Sequence, residues 1–128
     1  MIDSPLTGKI GKDYKVRMSI RGHEISADEP VEVGGTDEAA KPGELLLSAL
    51  ASCKLITMNM YASRKWWDFQ AATISLHYLE KGDPTIIEKQ IDFIGDLDEK
   101  QKQRLLDISG RCPVAKMLSK SISFEIKA

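Results

Sequence analysis

The chain has 128 residues and a mass of 14.2 kDa, the size of one domain, and is long enough to bury a core without disulfides or a structural metal. Apolar residues make up 42% and charged residues 29%, with a formal net charge of -1, which gives no basis for nucleic-acid or acidic-membrane binding. The N-terminal MIDSPLTGKIGKDY has no apolar signal core, and no run approaches about 18 uninterrupted apolar residues. The expectation is a cytoplasmic protein, off the membrane, folding over residues 1–128 as a single domain.

The first dozen residues read equally as a loose tail or an edge strand. Tyr14, Val16, Met18 and Ile20 then alternate with Lys15, Arg17 and Ser19, the period of a half-buried strand. Arg21-Gly22 has the composition of a hairpin turn, and His23 to Ala27 reads as the returning strand. Glu29-Pro30 interrupts the chain, and Val31 to Val33 reads as a short extended stretch. The segment GGTDEAAKPG, residues 34–43, is a loop by its glycines, proline and charges.

Pro42 suits the first turn of a helix. From Glu44 the sequence is apolar for about 18 residues, and only Glu44 and Lys54 carry charge before Arg64. Leu46, Leu50, Cys53, Thr57 and Met60 fall near one stripe. Leu45, Ala49, Ile56 and Ala62 widen it. A helix so nearly apolar all round is expected at the centre of the fold, covered on most sides.

Trp66-Trp67 precede a second alternating stretch, Ala72, Ile74, Leu76 and Tyr78, which ends in the turn Glu80 to Pro84. Ile86 to Ile94 forms a further strand. Asp98 is a favourable N-cap for a helix through Leu105, Leu106 and Ile108, ended by Gly110. Pro113 opens a last short helix, and Ile122, Phe124 and Ile126 align on one face of a closing strand. Helices segregated from mainly antiparallel strands give an α+β fold.

The two cysteines, Cys53 and Cys112, carry the chemistry if any residues do. Structural disulfides are rare in a reducing compartment, so each is either a small core residue or a reactive thiol. Cys112 has Arg111 beside it and a helix start behind it, two features that favour a thiolate. Cys53 lies mid-helix, where the dipole contributes little and a cation must come from elsewhere. Arg17, Arg21 and Arg111 are the candidates. His23 and His77 stand apart, and no cluster has metal-ligand spacing.

The stretch GGTDEAAKPGELLLSALASCKLITMNM, residues 34–60, followed by RCPVAKML, residues 111–118, resembles the OsmC/Ohr family of organic hydroperoxide reductases. A loop ending in proline, an apolar helix with its cysteine, and a second cysteine before Pro-Val carry the likeness together. The resemblance implies an OsmC-like fold with antiparallel sheets around a long central apolar helix, in an intertwined homodimer. It implies a peroxidatic Cys53, a resolving Cys112, an organic hydroperoxide as substrate and a dithiol reductant, lipoyl-type or another small or protein thiol. No cofactor, metal, nucleic acid or membrane enters that chemistry.

Arg21 is the first choice for the cation beside the Cys53 thiolate, with Arg17 as the alternative. Leu50, Ile56 and Met60 are the expected lining of an apolar substrate pocket. The family glutamate that partners the arginine falls here at Gly43, with Glu44 next to it. Nine helical residues from Glu44 to Cys53 turn about 180°, so Glu44 is expected off the cysteine's face. The competing readings are a small-molecule or lipid-binding dimer with spectator thiols, and a thiol redox sensor.

Overall fold

A computed structural model describes residues 4–127. The chain divides into two compact units, Met1–Leu46 and Leu47–Ala128. The first is a three-stranded antiparallel sheet in the order β1-β2-β3, with β1 at Thr7–Ile10, β2 at Val16–Ile20 and β3 at His23–Ala27. Arg21 (φ 50) and Gly22 (φ 83) both take left-handed backbone, as a two-residue turn matched to the strand twist requires. The N-terminal stretch therefore supplies an edge strand; its residues 1–3 lie outside the described residues.

Two expectations fail in this unit. Tyr14 precedes β2 rather than sitting in it and is half exposed. Val31–Val33 form one turn of 3-10 helix, not an extended stretch, because the carbonyls of Pro30 and Val31 accept the Val33 and Gly34 amides at 3.0 Å each. Gly34 (φ 106) then turns the chain away.

The loop that follows is organised by the Asp28 carboxylate, which is 2% exposed. It accepts the Glu29 amide at 2.7 Å, the Thr36 hydroxyl at 2.8 Å and the Glu38 amide at 3.1 Å. The Asp28 amide in turn donates to the Ala40 carbonyl at 3.1 Å. A Cβ on Gly35 would overlap the Glu29 carbonyl oxygen, so this crossing needs a residue without a side chain. The Glu38 and Glu29 amides, in that order, with help from Thr36, hold the Asp28 carboxyl below the usual carboxylate range.

Helix α1 runs Pro42–Arg64. The rest of the second unit is an antiparallel pair, β4 at Ala71–Glu80 and β5 at Ile86–Ile94, followed by α2 at Glu99–Ser109 and α3 at Pro113–Leu118. A complete capping box opens α2: the Asp98 carboxylate accepts the Gln101 amide at 2.8 Å, and the Gln101 side chain accepts the Asp98 amide at 2.9 Å. The core joins Met58 and Ala62 of α1 to Leu97 and Leu105, with Tyr61, Trp67, Phe69 and Phe93 around them. Each large side chain so buried contributes about 1.5–3 kcal/mol. Trp67 packs on this core, whereas Trp66 is 93% exposed.

The buried stripe of α1 is Leu50, Lys54, Met58 and Ala62, rotated from the expected one. Leu46, Ile56 and Met60 are exposed, so within one chain the helix is covered on one side only. By length and composition it is apolar enough to cross a membrane, but its middle carries Lys54, drawn into protein. The closing strand is also absent: residues 121–127 pair with nothing in the sheets, and Phe124 and Ile126 stand almost fully in solvent. Strand-like alternation is satisfied only by a neighbouring strand, and neither sheet of this chain supplies one there.

Candidate functional site

Both cysteines are free thiols of the second unit, Cys53 half-buried and Cys112 buried. Cys53 lies on the flank of the inward stripe of α1, one position before Lys54. Cys112 follows the turn that ends α2: Gly110 and Arg111 donate to carbonyls of the last α2 turn, and Pro113 at the first position of α3 lets a new helix start. The cysteine is thereby held at a helix–helix junction with no accessible surface.

The side chain that meets it comes from α1. Lys54, 8% exposed, places its Nζ 3.9 Å from the Cys112 Sγ and donates to the Ser109 carbonyl oxygen at 3.0 Å. That carbonyl belongs to the last turn of α2, where carbonyls lack intrahelical partners and a cation complements the helix dipole. A second lysine arrives from β5: Lys89 Nζ donates to the Ser109 Oγ at 3.0 Å, while that hydroxyl donates to the Leu106 carbonyl at 2.6 Å. Burial first, then repulsion from Lys54, pulls the Lys89 ammonium below the usual lysine range, and Cys112 and Asp107 pull the other way.

The two lysines line a hollow of about 420 Å³ whose walls include Leu50, Leu76, Ile87 and Leu118. Ile56 and Met60 line a separate, shallow hollow of about 440 Å³ on another side of α1. Six residues from Leu50 to Ile56 turn the helix by about 240°, which separates them. Arg17 lies on β2 opposite Lys9 and Ser26, and Arg21 sits in the hairpin turn; both side chains are exposed in the first unit. Glu44, in the same unit, accepts the Lys41 amide at 3.1 Å and so closes the start of α1. His77 faces Glu88 across β4–β5 at 3.5 Å, a surface pair.

Lys54, Lys89 and Ser109 were not singled out from the sequence. One signal was present: Lys54 is a lone charge inside an apolar helix, and a charge at such a position needs a partner. Among the described residues, no group of three or more His, Cys, Asp or Glu side chains is arranged to hold a metal ion.

Solved structures share this architecture. A protein from Psychrobacter arcticus 273-4, assigned to an osmotic stress induced and detoxification response, is 29% identical with a TM-score of 0.76, over 91% of this chain and 88% of that one. The OsmC like protein from Mycoplasma pneumoniae is 20% identical with a TM-score of 0.76, over 92% and 88%. The organic hydroperoxide resistance protein OhrB of Bacillus subtilis is 14% identical with a TM-score of 0.58, over 91% and 90%. Among curated proteins none matches significantly. The family model described as OsmC-like protein matches residues 35–127, a stretch holding α1 and both cysteines, and the chain therefore belongs to the OsmC-like family.

Proposed function

We propose that this protein is a thiol-dependent peroxidase that reduces organic hydroperoxides to alcohols. The observation that carries the reading is a half-buried and a buried free thiol in one compact unit of an OsmC-family chain. The likeness in fold to an organic hydroperoxide resistance protein supports the substrate class.

The Cys53 thiolate attacks the terminal oxygen of ROOH; the O–O bond breaks, and the alkoxide takes a proton to leave as ROH. Cys53 becomes a sulfenic acid. The Cys112 sulfur then displaces its hydroxyl as water, forming the Cys53–Cys112 disulfide before irreversible oxidation. A dithiol reductant, lipoyl-type or another small or protein thiol, restores both thiols by exchange and is itself oxidised. No metal or cofactor is needed. Arg21, with Arg17 as the alternative, supplies the cation for Cys53. Leu50 on one flank of Cys53, or Ile56 and Met60 on the other, provide apolar surface for the alkyl group.

The working form is an intertwined cytoplasmic homodimer in which residues 1–128 act as one domain. The support is the apolar surface one chain leaves open: Leu46, Ile56 and Met60 on α1, and Ile122, Phe124 and Ile126 in the C-terminal segment.

Intact mass after stoichiometric cumene hydroperoxide tests the reading. The reduced chain is expected to lose two hydrogens, and Cys112→Ser to retain an added oxygen instead. Two free thiols after mild peroxide excess would overturn it. Sustained peroxide consumption with a dithiol present separates an enzyme from a redox sensor.

A further inference from the structure

A lysine ammonium withdrawn from water needs a counter-charge or a set of fixed dipoles. The ion pairs among the described residues are Lys15–Glu38, His77–Glu88 and Lys102–Glu99, and none includes Lys54. The partners of Lys54 are the Ser109 carbonyl oxygen at 3.0 Å and the Cys112 sulfur at 3.9 Å. Cys112 has no exposed surface, so water cannot solvate a charge on it. An ammonium and a thiolate at this spacing would neutralise each other inside the protein. Either group charged alone is costly there.

We propose that Lys54 is the positioning residue for Cys112, holding it as a thiolate. Within the peroxidase reading, on which this consequence rests, the pair acts twice. The Cys112 thiolate attacks the Cys53 sulfenic sulfur: the S–S bond forms, the S–O bond breaks, and the departing hydroxide takes a solvent proton to become water. In reduction, the thiolate of the dithiol attacks the Cys53 sulfur, and the electron pair of the S–S bond returns to Cys112 beside the ammonium, the better leaving group. The second thiol of the reductant then displaces Cys53, and the reductant departs as its own disulfide.

Lys89, Asp107 and Arg111 are the other charged groups near Cys112. Lys89 from β5 reaches Ser109 and adds positive potential, and its own charge is favoured by Cys112. Asp107 of α2 acts in the same direction on Lys89 and opposes a thiolate. Arg111 is adjacent in the chain.

The test uses the full chain carrying Cys53→Ser, in which Cys112 is the single thiol, and follows thiolate ultraviolet absorbance against pH. Lys54→Met is expected to raise the titration midpoint by at least about one pH unit, and Lys54→Arg to stay within about half a unit of the Lys54 parent. Lys54→Gln separates charge from helix capping, because its amide can still donate to the Ser109 carbonyl. It is expected to titrate with Lys54→Met, and it decides the question if the methionine variant does not fold. Lys54→Gln titrating with the parent would overturn the proposal. No peroxide is involved, so a failure of disulfide formation in the native chain would sink the peroxidase reading and leave this readout intact.

Discussion

The Nζ of Lys54 and the Sγ of Cys112 lie 3.9 Å apart, both groups withdrawn from solvent, although 58 positions separate them in the chain. The contact ties the middle of α1 to the junction of α2 and α3. The same ammonium also caps the end of α2 through Ser109. A change at Lys54 therefore touches helix packing and thiol chemistry together, which is why a charge-free donor is needed to separate them.

Met58 is fully buried among Ala62, Leu97 and Leu105. Met58→Ala removes that side chain from the centre of the second unit and leaves a cavity. The expected loss is about 2–5 kcal/mol, read as a lower denaturant midpoint with an unchanged slope. A loss below about 1 kcal/mol would mean that the neighbouring aromatics collapse into the space.

The capping box at Asp98 satisfies an α2 amide that otherwise lacks a partner. Asp98→Ala should cost about 1 kcal/mol, and Asp98→Ser should recover most of it. Because α2 delivers Ser109 and the junction before Cys112, hydrogen exchange in α2 should rise in the alanine variant.

Asp28 sets an acid limb of stability. Its carboxyl titrates lower in the folded chain than its ordinary 3.8, so between those two values the unfolded state binds more protons. The stabilisation is complete above about 3.8 and is lost as pH falls through the folded value. Asp28→Asn puts an amide donor or a single acceptor where two oxygens receive Glu29, Thr36 and Glu38. That variant should be less stable at neutral pH, with a flatter acid limb in circular dichroism.

Ile56 is 56% exposed and Met60 55% exposed on one face of α1. If a second copy covers that face, Ile56→Glu should shift sedimentation from dimer to monomer at micromolar concentration. The helix content of the chain should change little. A variant that remains as dimeric as the parent would place the interface elsewhere.

Local signals were sufficient for much of the fold. Pro42, Asp98, Gly110 and Pro113 mark helix ends through backbone chemistry that needs no distant partner. The turn at Arg21-Gly22 and the alternation of Ile86 to Ile94 are equally local. Val31 to Val33 misled because its β-branched residues suggest extension, while Pro30 and Gly34 close a 3-10 turn around them.

The sequence by itself determined the order of the main strands and helices from β2 to α3, the α+β class and the two motifs by which the chain resembles its family. Tertiary structure alone decided which face of α1 is buried, that Lys54 turns inward to Cys112, and that the C-terminal segment has no strand to join within its own chain. The reason is physical. Periodicity and capping act over a few residues, whereas the buried face of an almost uniformly apolar helix is chosen by whatever packs against it. For the Cys112 thiol, that choice brings a lysine from 58 positions away.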